Sequence, residues 1–218
     1  MPKSSTASWI NGAGEPLRVQ RVALHELNMA RSEKNIHPII NDRYSPRSFA
    51  DRDVSDTELE LVLEAARWAP SSMNEQPWRF LVTRRGGEGH AQLLAALNPS
   101  NQRWALMAPV LILVMANRLL TRNGQENPHA RHDVGIATGL FAAEATALGM
   151  GLHILGGFSA DNARASFAIP DALDIVTVIA LGFPGGAEAL PDDLKLREGN
   201  RSTRKPLPEI VSYGKWTP

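Results

Sequence analysis

The stretch RYSPRSF, residues 43–49, sets Arg43, Tyr44, Ser45 and Arg47 within five positions. Guanidinium groups stay charged and offer a planar fork of donors, so two of them beside a hydroxyl suit a phosphate or another anion. A solvated basic loop accounts for the same residues. In WAPSSMNEQPWRF, residues 68–80, Ser71, Ser72, Asn74 and Gln76 sit on a connector pinned by Pro70 and Pro77. A turn explains the prolines and serines; it explains less readily the amides crowded between two tryptophans. Arg201, Arg204 and Lys205 precede Pro206 in RSTRKPLPEIV, residues 201–211, where a charged surface tail is the ordinary reading. Gly156 and Gly157 in LGGF, residues 155–158, would let a flat ligand approach the backbone, and a plain turn uses such glycines too. His129, His132 and Asp133 are spaced i, i+3 and i+4, which matches no zinc signature, so no metal is expected. The chain also lacks a Gly-rich phosphate loop, a G-x-S-x-G elbow and a G-x-G-x-x-G fingerprint.

The elements that must position these residues can be read from periodicity. Ser55 and Glu58 have capping-box spacing, and Val54 with Leu59 has that of a hydrophobic staple. Leu59, Val62, Leu63 and Ala66 then recur with helical period up to about Trp68, where Pro70 disfavours further helix. WRFLVTRR, residues 78–85, reads as a strand, and HAQLLAALN, residues 90–98, as a helix. PVLILVMAN, residues 109–117, is nearly continuous in apolar residues, as for a strand covered on both faces. A polar loop over residues 119–129 could border a site. The helix expected over residues 130–150 is apolar nearly all round, so it must be buried in the monomer or against a second subunit. LHILGGF reads as a short strand, SADNARASFAI as a helix capped by Ser159, and DIVTVIALGFPG as another buried strand. Helices and strands alternate without a strict repeat, so the class is α+β, with no inter-domain linker.

Composition sets the outer limits. The 218 residues are 43% hydrophobic, enough for one sizeable core. Twenty-three Lys and Arg balance 23 Asp and Glu, which offers no basic face for nucleic acid or a membrane surface. The absence of cysteine excludes disulfides, thiolate metal sites and a cysteine nucleophile. Residues 1–20 are rich in Ser, Gly and Pro and read as a flexible arm, leaving 21–218 as a single domain. They contain no apolar run of a secretory signal, so a cytoplasmic protein is expected.

In order, RYSPRSF, APSSMNEQPWRF, HDVGIATGLFAAEATALGMG, ILGGF, IALGFPG and RKPLPEIV resemble the nitroreductase family of FMN-dependent oxidoreductases over about residues 37–216. The resemblance implies a largely antiparallel sheet packed with helices in an intertwined homodimer, with two FMN sites built from both subunits. It places Arg43, Tyr44, Ser45 and Arg47 on a first flavin-binding element. Arg43 and Ser45 would hold the phosphate and ribityl chain, and Arg47 would lie near the pyrimidine edge. Ser71, Ser72 and Asn74 fall on a second element, contributed by the other subunit, with Asn74 at the ring. Leu155, Gly156 and Gly157 match the segment whose backbone N–H approaches flavin N5. Arg204 and Lys205 match a phosphate clamp. Gly156 stands where some relatives carry an acidic residue, and a backbone contact to N5 does not need that side chain.

The activity the resemblance implies is hydride transfer from NADH or NADPH to the flavin, and then to a nitroaromatic, quinone or activated alkene, in ping-pong order. No protein nucleophile or general base is required, because the cofactor carries the chemistry. A cation and an amide donor at the N1–O2 edge, for which Arg47 and Asn74 are the candidates, would stabilise the reduced form. Substrate oxidation, dehalogenation, flavin breakdown and flavin binding without turnover are the alternatives on the same fold.

Overall fold

The computed structural model describes residues 32–198 and 202–216, so the arm expected over residues 1–20 lies outside the described residues. The chain order is α1 (Pro38–Asp42), α2 (Asp56–Arg67), β1 (Trp78–Arg84), α3 (His90–Ala96), α4 (Pro99–Ala105), β2 (Val110–Asn117), α5 (Ala130–Ala147), β3 (Gly151–Leu155), α6 (Ala160–Phe167), β4 (Leu173–Gly182) and α7 (Asp192–Glu198). The four strands form one antiparallel sheet in the order β1-β2-β4-β3. This is the α+β arrangement expected from the sequence.

Alternation along β2 divides the core into two layers. Val110, Ile112, Val114 and Ala116 join one cluster with α2 and α5, while Leu111, Leu113 and Met115 join another with Leu93, Trp104 and Ala163 of α3, α4 and α6. Helices therefore cover both faces of the sheet. That is why β2 reads as an unbroken apolar run.

Local signals set several boundaries. Ser55 Oγ accepts from Glu58 N while the Glu58 carboxylate accepts from Ser55 N, so α2 begins with a complete capping box. Ser159 caps α6 by accepting from Asn162 N at 3.2 Å. Helix α4 was not distinguished in the sequence. Pro99 at its first position reads as the end of the preceding helix, yet it also opens a new one because its missing N–H is no loss there. On α5, Val134, Ala137, Phe141 and Ala145 are buried within the chain, whereas Gly135, Gly139 and Leu140 face outward.

Candidate functional site

The arginine-bearing loop follows α1, whose C-cap Arg43 has extended backbone (φ −61°, ψ 124°). No regular element contains residues 43–48, so their shape depends on neighbours. Gly185 N donates to Ser48 O at 3.0 Å, Ala50 N donates to Phe183 O at 2.8 Å, and Ser48 Oγ donates to Gly186 O, which stitches the loop's end to the chain beyond β4. From β3, His153 Nδ1 donates to Pro46 O at 3.0 Å, with its imidazole 4.6 Å from the buried Trp104 ring. A Cβ at Gly151 would collide with the Pro46 ring, so glycine is what lets β3 approach the loop. From α7, Glu198 accepts from Arg47 N at 2.8 and 3.0 Å and from Ser48 N at 3.2 Å.

These contacts wall a cleft of about 370 Å³. Among the described residues, Arg43, Arg47, Arg197 and Arg204 line it, against the carboxylate of Glu198. Arg43 Nη1 donates to Ser45 Oγ at 3.3 Å, and Arg204 Nη1 donates to Ser202 O at 2.8 Å. Burial, then the cation of Arg204, lowers the Arg43 pKa; burial, then Arg197, lowers that of Arg47. Burial also raises the Glu198 carboxyl, against the pull of the Ser48 and Arg47 amides and the Arg47 cation. Burial, then the Glu198 charge, raises the buried Tyr44 phenol. Burial pushes His153 down to about 4, so its ring is neutral near pH 7 with the proton on Nδ1, where Pro46 O requires a donor. An excess of partly desolvated cations is the electrostatic signature of an anion site.

The turn after α2 is a separate structure. Met73, Asn74 and Gln76 all have positive φ (53°, 56° and 48°), a conformation L-residues adopt at a cost when neighbours enforce it. Here Gln76 N donates to Ser71 Oγ at 3.0 Å, Gln76 Nε2 donates to Asn74 O at 3.2 Å, and Ser72 N donates to Asp133 Oδ2 at 2.9 Å. Gln76 is thus a brace. Asp133 is buried in the first turn of α5, and its other oxygen faces His132 Nδ1 at 3.0 Å. Asp133→Ala would strand the Ser72 amide and should cost about 1–3 kcal/mol in urea unfolding, with Asp133→Asn costing less. Glu75 Oε2 accepts from Thr121 N at 2.9 Å and ties the turn to the polar loop of residues 118–129.

At the end of β3, Leu155 is buried and its carbonyl accepts from Thr177 Oγ1 at 2.7 Å. Gly157 O accepts from Asn98 N and Asn101 Nδ2, both at 2.9 Å. Gly156 is exposed, and a Cβ there would meet nothing within 4 Å. A planar group therefore has room to approach this backbone.

The nitroreductase family profile matches residues 40–105 and 88–183. The chain belongs to the nitroreductase family. A solved structure of an oxidoreductase containing FMN is 32% identical with a TM-score of 0.82, and the likeness covers 88% of this chain and 97% of that one. A nitroreductase family protein of Clostridium difficile 630 is 30% identical with a TM-score of 0.65, covering 84% and 100% of the two chains. An NADH dehydrogenase of Thermus thermophilus is 26% identical over 199 residues, 78% of this chain and 92% of that protein.

Of the residues singled out from the sequence of this nitroreductase family member, Arg43, Tyr44, Ser45, Arg47 and Arg204 come together in the cleft. Lys205 is exposed and adjoins Arg204 without lining it. Ser71, Ser72 and Asn74 lie on the separate turn, outside that lining, as do Leu155, Gly156 and Gly157. His153 links two of these groups. It lines the cleft, and Gly156 follows three residues later, ~10 Å along an extended chain. Glu198, Arg197 and His153 were not picked from sequence. Glu198 and His153 meet the loop across 151 and 107 residues of chain, and no local spacing signals contacts that distant.

Proposed function

We propose that this nitroreductase family oxidoreductase holds FMN and uses NADH or NADPH to reduce an electron-poor acceptor, such as a nitroaromatic, a quinone or an activated alkene. The arginine-lined cleft carries this reading. Arg43, Ser45 and Arg204, with Lys205 beside them, offer charge-assisted donors to a terminal phosphate, and the cleft has the volume for one. When bound, FMN supplies the redox chemistry, taking a hydride at N5 and passing electrons to the acceptor. Arg47 brings a cation whose backbone is fixed by Glu198. The open backbone at Gly156 lets a ring lie close, and the engaged carbonyls of Leu155 and Gly157 hold that segment's peptide planes.

Ser71, Ser72 and Asn74 join the same site in a homodimer, where the second copy provides its turn. Two features suit such a partner. The outward face of α5 carries Gly135, Gly139 and Leu140, and the C-terminal segment exposes Leu207, Ile210, Tyr213 and Trp216. Large apolar side chains left exposed in this way suit an interface. Size exclusion with light scattering is expected to report twice the chain mass; a stable monomer would contradict the shared site. Residues 21–218 act as one FMN-binding domain, as the single sheet built from residues 78–182 suggests.

The deciding experiment is anaerobic. Purified protein supplied with FMN is expected to be yellow and to bleach on addition of NADH or NADPH, then recover colour with a nitroaromatic or quinone. Colour that persists under both donors would sink the reductase reading in favour of flavin binding without turnover.

A further inference from the structure

An anion cleft with a carboxylate in its wall is an electrostatic contradiction, because that charge repels the ligand the arginines attract. Glu198 is 7% exposed and its charge has been taken out of water at a cost. Its contacts show what the carboxylate does instead. Both oxygens accept from the consecutive amides of Arg47 and Ser48, while His153 Nδ1 donates to the preceding carbonyl, Pro46 O. Two side chains thus grip successive groups of a loop that has no ladder of its own.

We propose that Glu198 is a positioning residue for the phosphate end of the flavin, holding the Arg43–Arg47 loop against the segment that carries Arg204. The inference rests on the FMN reading above. Glu198 ends α7, and Arg204 follows six residues later, so one carboxylate joins the two walls of the cleft. Its loss frees the Arg47 and Ser48 amides and lets Arg43 and Ser45 drift from Arg204. The penalty falls mainly on the phosphate, because Arg47 is the one residue proposed to meet the ring that Glu198 holds, and it does so through the backbone, while the others stand at the end of β3 and on the turn after α2.

The electrostatic alternative has the opposite sign. If Glu198 were only a charge in the cleft, removing it would tighten phosphate binding. The test compares FMN with riboflavin, which has the same ring and no phosphate, by fluorescence titration of the flavin-stripped full chain. Glu198→Ala is expected to weaken FMN binding about 10- to 100-fold while changing riboflavin binding less than about 3-fold. Glu198→Gln keeps the shape and one acceptor oxygen, so it should recover part of the loss. If the alanine variant fails to fold, the glutamine variant decides alone, since positioning predicts weaker FMN binding and bare charge predicts tighter. FMN bound as tightly as in wild type, or an equal loss for both flavins, overturns the positioning role. Wild-type protein that does not distinguish FMN from riboflavin overturns the phosphate reading itself, and this proposal with it.

Discussion

Arg204→Ala is expected to weaken FMN binding roughly 10- to 150-fold, and Arg43→Ala by a similar factor. Each removes a charge-assisted contact worth about 1.5–3 kcal/mol in a partly desolvated cleft. Burial and then the Arg204 charge depress the Arg43 pKa, so the Arg43 cation is destabilised until an anion arrives between the two. Removing one relieves that repulsion for the survivor. The double variant should therefore lose less than the product of the two single losses, as residues sharing one partner generally do. Riboflavin binding should change little in all three. Rising salt should weaken wild-type FMN binding more than that of the double variant, because mobile ions compete for the same cations. Unchanged FMN retention in Arg204→Ala would remove Arg204 from the site.

Much of the frame was legible because its determinants are local. The Ser55–Glu58 box starts α2 where the spacing puts it, and the apolar run of β2 is buried on both faces. The loop arginines were legible by residue type, since few side chains bind phosphate in a planar fork. What escaped was set by distance in sequence. A glutamate in LREGN at a helix end reads as solvated, and only the fold brings it to Arg47 N. Asp133 reads as a favourable charge in the first turn of α5, yet it also accepts from Ser72 N, 61 residues away. Gln76, one of the amides crowded into this connector, braces it through hydrogen bonds to Ser71 and Asn74. The positive φ at Met73 and Gln76 had no composition signal, unlike that at Asn74, because Asp133, Glu75 and Ser71 enforce it through tertiary and turn contacts. The separation of this turn from the arginine cleft has no local signal either and was implied only by the family resemblance. A site completed by a second copy requires the turn and the cleft to be separate.

The flavin-free protein is expected to lose up to about 3 kcal/mol of stability between pH 6.5 and pH 4 through His153 alone. Burial beside Trp104, with Arg47 and Arg43 nearby, holds this imidazole down to about 4, against about 6.5 for an exposed histidine. As pH falls below 6.5 the unfolded chain takes up this proton before the folded chain does, so each step toward acid favours unfolding until the folded pKa is reached. Glu198 acts with the opposite sign. Its raised folded pKa means that protonation in acid favours the folded chain, so the net profile of the wild type is shallower than the His153 contribution alone. His153→Gln separates the two, because it keeps a donor for Pro46 O and removes the titration. Urea unfolding at fixed protein concentration should show the stability gap between wild type and variant shift toward the variant by up to about 3 kcal/mol from pH 7 to pH 4. Bound FMN should shrink that shift, because a phosphate beside the ring favours the imidazolium. Parallel pH profiles for the two flavin-free proteins would mean that His153 is protonated as readily in the folded chain as in the unfolded one. The neutral Nδ1–H donor to Pro46 would then lose its place in the cleft.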